Sequence, residues 1–320
     1  MQIGTRTARA KAILRNVPTS AWILLLMIIF FACATPMFLT LSNVANILSQ
    51  GAILIILCMG VIVVKITGGI ELSVSGVLTL AGMVMAGSIV KLGVPIQASL
   101  LLALLIGIIF GLLNGVFVTS LGLPSFIATL GTQGMAFGIA LGMNEGNVYT
   151  GLPQSINQLG NGTLWGVPVA IWVSVAAVAL TWFLLNHTRF GVYVYAIGGN
   201  EEALALAGKP SWWYKMLAYI YSGMMAGLAG IVMTARNMVS QPRVGEGMEF
   251  EAFAGVVLGG SFAAGRGSAL GTIVGALFIL VLRNGLNVVG VPTYIQLAII
   301  GSVLITAIVL STLVERRWRN

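Results

Sequence analysis

Apolar runs of membrane-spanning length follow one another along nearly the whole chain, and no other feature restricts its fold so severely. A bilayer core about 30 Å thick needs about 20 apolar residues per helix, because each backbone N–H and C=O must find its partner within the segment. The runs read as 21–38, 45–66, 72–90, 95–119, 126–143, 167–185, 213–236, 251–264, 268–282 and 294–314. The expected fold class is therefore all-α: one transmembrane domain over residues 1–320, with about ten helices in the lipid bilayer. Hydrophobic residues make up 58% of the chain and charged residues 8%, far below the about 25% of soluble domains, which excludes an ordinary soluble protein.

The 16 Lys and Arg sit at the ends of apolar runs and form no single patch, so the net charge of +8 is read as topology and not as nucleic-acid binding. With ten spans starting inside, twelve cations fall inside: Arg6, Arg9, Lys11, Arg15, Lys65, Arg189, Lys209, Lys215, Arg266, Arg316, Arg317 and Arg319. Lys91, Arg236, Arg243 and Arg283 fall outside. Both termini are thus expected in the cytoplasm. Ala32-Cys33-Ala34 resembles a signal-peptidase site, but its apolar run is longer than a signal core, and we read an uncleaved anchor. Cys33 and Cys58 lie in apolar runs, where the expected role is a small buried hydrophobe.

The long polar interruption, residues 186–215, carries a helix signature of its own. Asn200 is placed to cap a helix start, Glu201 and Glu202 fall in the first turn where the helix dipole favours negative charge, and Gly208 and Pro210 end it. About two turns cannot hold themselves together in water, so Leu204, Leu206 and Ala207 need a surface to pack on. That surface is either the chain's own bundle or another protein.

Glycine recurs every fourth residue at 107/111/115, 134/138/142 and 267/271/275, a spacing that lets helix backbones approach closely. The plain expectation is packing within the chain; a subunit contact is the alternative. Gly69-Ile70-Glu71-Leu72 is echoed by Gly247-Met248-Glu249-Phe250, and Asn114-Gly115 with Pro124 by Asn284-Gly285 with Pro292. The copies lie five spans apart and would cross the membrane in opposite directions, which predicts a five-plus-five inverted repeat.

Chemistry is poorly supplied. All eight acids are Glu and there is one histidine, His187. The phosphate loop GxxxxGK[ST], HExxH, paired CxxC and GxSxG are absent, and Asn161-Gly162-Thr163 is a weak sequon set aside. No catalytic or metal site is expected, and an intramembrane enzyme is disfavoured. The polar residues expected inside spans, Asn114, Thr129, Thr132, Gln133, Asn284 and Asn287, suit a pathway for a neutral polyhydroxylated solute, since each both donates and accepts hydrogen bonds. Interhelical glue is the plainer reading for any one of them.

Four stretches carry a family pattern: GGIELSVSGVLTLAG at 68–82, PSFIATLG at 124–131, TRFGVYVYAIGGNEEALALAG at 188–208 and EAFAGVVLGGSFAAGRGSALGTIVGALFILVLRNGLNVVG at 251–290. Together they resemble the permease subunit of sugar ATP-binding cassette importers of the ribose, xylose, arabinose and autoinducer-2 type. The resemblance implies a non-enzymatic permease of the bacterial inner membrane, moving a pentose-like or related sugar into the cytoplasm. It implies a second permease copy, as homodimer or heterodimer, and a periplasmic sugar-binding protein. It also implies a cytoplasmic ATPase, which binds ATP and magnesium while this chain binds no cofactor. Within 186–215, Gly199, Asn200, Glu201, Glu202, Leu204, Ala207 and Gly208 match the segment that docks on the ATPase, with Leu204 the expected anchor and Glu201 and Glu202 near basic groups. Phe126 joins the candidate pathway residues. Family members usually show Asp at Glu71, Gly-Ser at Ser75-Gly76, and Ser-Leu-Xaa-Gly where this chain has Phe262-Ala263-Ala264. The rival reading is a self-sufficient secondary carrier for a neutral polar solute, which would keep importing after ATP depletion.

Overall fold

The computed structural model describes residues 19–296, 298–303, 305, 306 and 309. The N-terminal cations, Arg316, Arg317, Arg319 and both termini lie outside the described residues. Among the described residues twelve helices follow in chain order: α1 (Thr19–Ala34), α2 (Leu41–Ile66), α3 (Val74–Leu92), α4 (Ile96–Thr119), α5 (Ser125–Gly142), α6 (Gln154–Gly160), α7 (Val169–His187), α8 (Arg189–Leu206), α9 (Ser211–Asn237), α10 (Met248–Leu258), α11 (Ala269–Val288) and the shorter apolar α12 (Thr293–Val303). Among the described residues seven helices are long and apolar enough to cross a membrane: α2, α3, α4, α5, α7, α9 and α11.

Local chemistry sets the boundaries. Six helices begin directly after a proline, Pro95, Pro124, Pro153, Pro168, Pro210 and Pro292, whose fixed φ and missing N–H suit a helix start. Thr40, Thr188 and Ser268 cap α2, α8 and α11 by accepting a backbone N–H three residues on. One element departs from the all-α expectation. Residues Thr163–Leu164 and Val167–Pro168 form a small antiparallel hairpin, and its turn residues Trp165 and Gly166 both take positive φ, 53° and 77°.

Burial divides the bundle. In the spanning stretches of α2, α3 and α9, 72%, 83% and 72% of residues are buried, against about a third or fewer in α4, α5 and α7. A helix apolar on all sides belongs in the interior of such a bundle, and α2 is buried almost continuously from Gly51 to Ile66. Glycine makes the closest crossings possible. A methyl group on Gly107 would collide with the Gly223 carbonyl of α9, and one on Gly111 would come within 2.5 Å of the Tyr219 carbonyl oxygen. Gly271 and Gly275 of α11 meet Gly259 and Gly255 of α10 in the same way. Among the described residues, the ridge at Gly134, Gly138 and Gly142 meets nothing within 4 Å. Packing within the chain thus accounts for two of the three ridges and fails for the one on α5.

The expected eighth span, 251–264, is corrected. Helix α10 has only 11 residues, about 17 Å of rise, because Gly259 and Gly260 end it and Gly260 takes φ 99°. The chain then turns through Gly265 and Gly267 before α11 begins.

The cations sort to two ends. At one, Gly265 N–H donates to the Ile66 carbonyl at 2.8 Å and Tyr195 Oη to the Gly267 carbonyl at 2.7 Å, which gathers Lys65, Arg266, α8 and the start of α9. At the other, Tyr149 and Ser240 exchange backbone hydrogen bonds of 2.9 and 3.0 Å, and Asn161 Nδ2 donates to the Arg236 carbonyl at 2.8 Å. Lys91 lies over the Tyr149 ring at that same end.

Candidate functional site

The polar residues expected along a pathway separate into two places. Asn114, Thr129, Thr132 and Gln133 are buried around the turn between α2 and α3. Glu71 Oε1 accepts from Ser73 N–H at 2.7 Å and from Ser73 Oγ at 2.6 Å. Asn114 Nδ2 donates to Ser73 Oγ at 2.8 Å, and Thr132 Oγ1 donates to Asn114 Oδ1 at 2.6 Å. Beside this chain, Gln133 Nε2 donates to Ser75 Oγ at 2.8 Å, and Thr129 Oγ1 to the Ser125 carbonyl at 2.9 Å. The result joins α3, α4 and α5 through satisfied polar groups, the geometry of interhelical glue. Burial holds the Glu71 carboxyl above its ordinary range, at about 7, against the opposing pull of the Ser73 hydrogen bonds.

The second place is a cavity of about 550 Å3 at the end of the bundle that holds Arg236 and Arg283. It lies between α2, α9, α10, α11 and α12 and takes in Asn284 and Asn287. Asn284 is locked in a reciprocal amide pair with Asn43, at 2.9 and 3.0 Å. Asn287, three residues on, is exposed. Phe126, on α5, is 48% exposed and lines neither place.

Three cavity residues escaped the sequence reading as site residues. Glu251 on α10 and Arg283 on α11 form an ion pair in which one guanidinium nitrogen, Nη1, donates to both carboxylate oxygens at 2.9 and 3.1 Å. Phe250 lines the cavity and is 44% exposed. Complementary charges inside apolar runs 32 residues apart were the available signal, because an ionisable residue in such a run needs a partner. The boundaries assigned to those spans put Glu251 and Arg283 at span ends and concealed it. Among the described residues no three of His, Cys, Asp or Glu gather as a metal site.

At the opposite end, α8 breaks at Asn200, whose backbone is extended (φ −160°, ψ 99°), and Asn200 Oδ1 accepts from Ala203 N–H at 2.9 Å. This starts a second short helix that ends before Gly208, at φ 72°. The first half packs on the bundle: a methyl group on Gly198 would collide with the Ile66 carbonyl and the Gly265 amide. The second half projects. Glu201 pairs with Lys215 of its own chain at 2.6 Å, Leu204 is half-buried, and Leu206 is 90% exposed. Glu202, Ala207 and Gly208 are exposed. The apolar side chain offered outward is therefore Leu206, not Leu204, and Glu201 already has an intramolecular partner.

A helical bundle with seven membrane-length helices, a polar cavity at one end and a capped helix projecting from the other defines a polytopic membrane transport component. The chain belongs to the family described as branched-chain amino acid transport system / permease component, which matches residues 43–308. Such permeases are membrane components and not enzymes. The ribose import permease RbsC of Escherichia coli K12 is 37% identical over 303 residues, 91% of this chain and 94% of that protein. RbsC of Bacillus subtilis 168 is 39% identical over 290 residues, 90% of each chain. The D-allose transport system permease AlsC of Escherichia coli K12 is 34% identical over 297 residues, 92% of this chain and 91% of that protein. No solved structure matches the chain.

Proposed function

We propose that this chain is the inner-membrane permease of an ATP-driven importer that moves a small neutral sugar, pentose-like or related, into the cytoplasm. The observation that carries the reading is the identity to ribose and allose permeases along nine-tenths of the chain. The geometry supports its parts. Residues 186–215 act as the coupling segment, with the 201–206 helix docking in a cytoplasmic ATPase that binds ATP and magnesium, and Leu206 as its anchor. The end that carries Lys65, Lys215 and Arg266 is then cytoplasmic, both termini with it, and the cavity end receives a periplasmic sugar-binding protein. A second permease copy packs on the bare glycine ridge of α5, beside Phe126. An inverted repeat follows if α2 to α5 correspond to α9 to α12, with the half-length α10 in the place of α3. The correspondence is supported by two long, buried leading helices, Glu71 and Glu249 after each, and Pro124 and Pro292 before the fourth helix of each set.

The test is reconstitution of permease, ATPase and binding protein in liposomes loaded with ATP. Labelled ribose or allose should enter only with all three parts and ATP present. Uptake by this chain alone after ATP depletion would overturn the reading in favour of a secondary carrier.

A further inference from the structure

The cavity beneath α10 and α11 brings together an exposed aromatic ring, a compensated ion pair and an uncommitted amide. We infer that it is a binding station for one neutral polyhydroxylated ring, with Phe250 stacking on the ring's C–H face while Glu251, Arg283 and Asn287 read its hydroxyls. The inference deepens the sugar-permease reading and rests on it.

The cavity's volume, about 550 Å3, falls within the about 300 to 1,000 Å3 of small-molecule sites. Its four charged side chains, Arg236, Glu246, Glu251 and Arg283, sum to zero, so a neutral solute entering here meets no net charge. The pair is also only partly used. Arg283, which lines the cavity, spends one nitrogen on the carboxylate, and its side chain is 55% exposed, so the remaining donors of the guanidinium fork stay accessible. A carboxylate only accepts and a guanidinium only donates, while a hydroxyl does both. Neighbouring hydroxyls of a sugar can therefore bridge the pair without separating it. Asn287 adds an exposed amide, since its neighbour Asn284 is consumed by Asn43.

An aromatic ring lining a polar cavity needs its own reason, and a sugar supplies one. Its ring is polar around the rim and apolar across the C–H face, so Phe250 offers a flat apolar surface where the hydroxyls still reach Glu251, the next residue in the chain. The station sits at the end that receives the binding protein in the proposed orientation, so it would hold a released sugar before the bundle opens inward.

The experiment uses the whole complex. Permease and ATPase without binding protein are placed in nanodiscs, and saturation-transfer NMR is recorded with D-ribose, D-allose and L-leucine; ATP-driven sugar uptake is measured in liposomes with all three components. The expected result is a sugar signal in the parent complex that falls at least tenfold in Phe250→Ala and in Asn287→Leu, with no leucine signal. Both substitutions fall on exposed positions, which guards against misfolding; Glu251→Gln, which keeps the shape and removes the charge, should give the same loss. A signal for leucine, no sugar signal in the parent, or an undiminished sugar signal in the Phe250 and Asn287 variants overturns the station. If the parent imports sugar while any of these holds, the permease reading stands and only the station falls; if the parent imports no sugar, both fall together.

Discussion

At the scale of single residues the buried carboxyl of Glu71 is the most exacting choice in the chain. It sits in the turn between two helices, satisfied by Ser73 and linked through Asn114 and Thr132 to α4 and α5. Its folded-state value of about 7 lies above the ordinary 4.5, so between those pH values the folded protein holds a proton that the unfolded chain has released. The folded state binds more protons there, and stability falls as pH rises through that window, by up to about 3 kcal/mol. Glu71→Gln should flatten the dependence: the melting temperature of the parent in detergent should drop from about pH 5 to about pH 7.5, and that of the variant should change less. Equal slopes would show that Glu71 titrates at an ordinary value. A second residue-scale outcome concerns Gly107. Gly107→Ala drives a methyl group into the Gly223 carbonyl at a backbone crossing that cannot easily yield, and overpacking of this kind costs about 1 to 3 kcal/mol. Gly134→Ala meets open space, so melting of the solubilised single chain should separate the two variants clearly.

Among the elements, the projecting half of α8 shows how a local signal and a tertiary one differ. Capping at Asn200 and termination at Gly208 depend on side-chain and backbone chemistry within a few residues, and both are legible in the sequence. Which leucine faces outward depends on how the first half of α8 is held by Gly198 and Tyr195 against the bundle, and no local pattern contains that. Burial of one leucine in a partner groove is worth about 1.5 to 3 kcal/mol. Leu206→Asp should therefore weaken co-purification of the ATPase at least tenfold, with a smaller effect from Leu204→Asp. If the two variants bind alike, Leu206 is not the anchor. Glu201→Lys should act mildly through the loss of its pair with Lys215, since a partly exposed pair contributes about 0 to 1 kcal/mol.

For the whole molecule, the two ends and the unpacked face decide what can be attached where. Cysteine placed at position 243 should react in intact cells with an impermeant reagent from outside, and cysteine at position 200 should not. Labelling of position 200 from outside would reverse the proposed orientation. The bare ridge of α5 should lie against its counterpart in a second copy: Gly138→Cys in membranes should form a disulfide-linked dimer under mild oxidation, and its failure to do so would leave that ridge facing lipid.

The mostly helical membrane class was legible from residues alone, because the need to satisfy every backbone group in lipid leaves a mark in nearly every run of 20 residues. So were most span boundaries, where prolines and caps act locally, and the projecting helix with its cap. The tertiary structure alone shortened α10 to a half-length helix, since the sequence run stays largely apolar past Leu258 while Gly259 and Gly260 close it by backbone conformation and by crossing α11. It alone separated Asn114, Thr129, Thr132 and Gln133, sealed in a helix junction, from Asn287 in the cavity. It alone brought Glu251 to Arg283. Hydropathy records how much a residue prefers lipid, but which neighbour a polar group meets is set by helix rotation and crossing, and these are fixed only when distant helices pack.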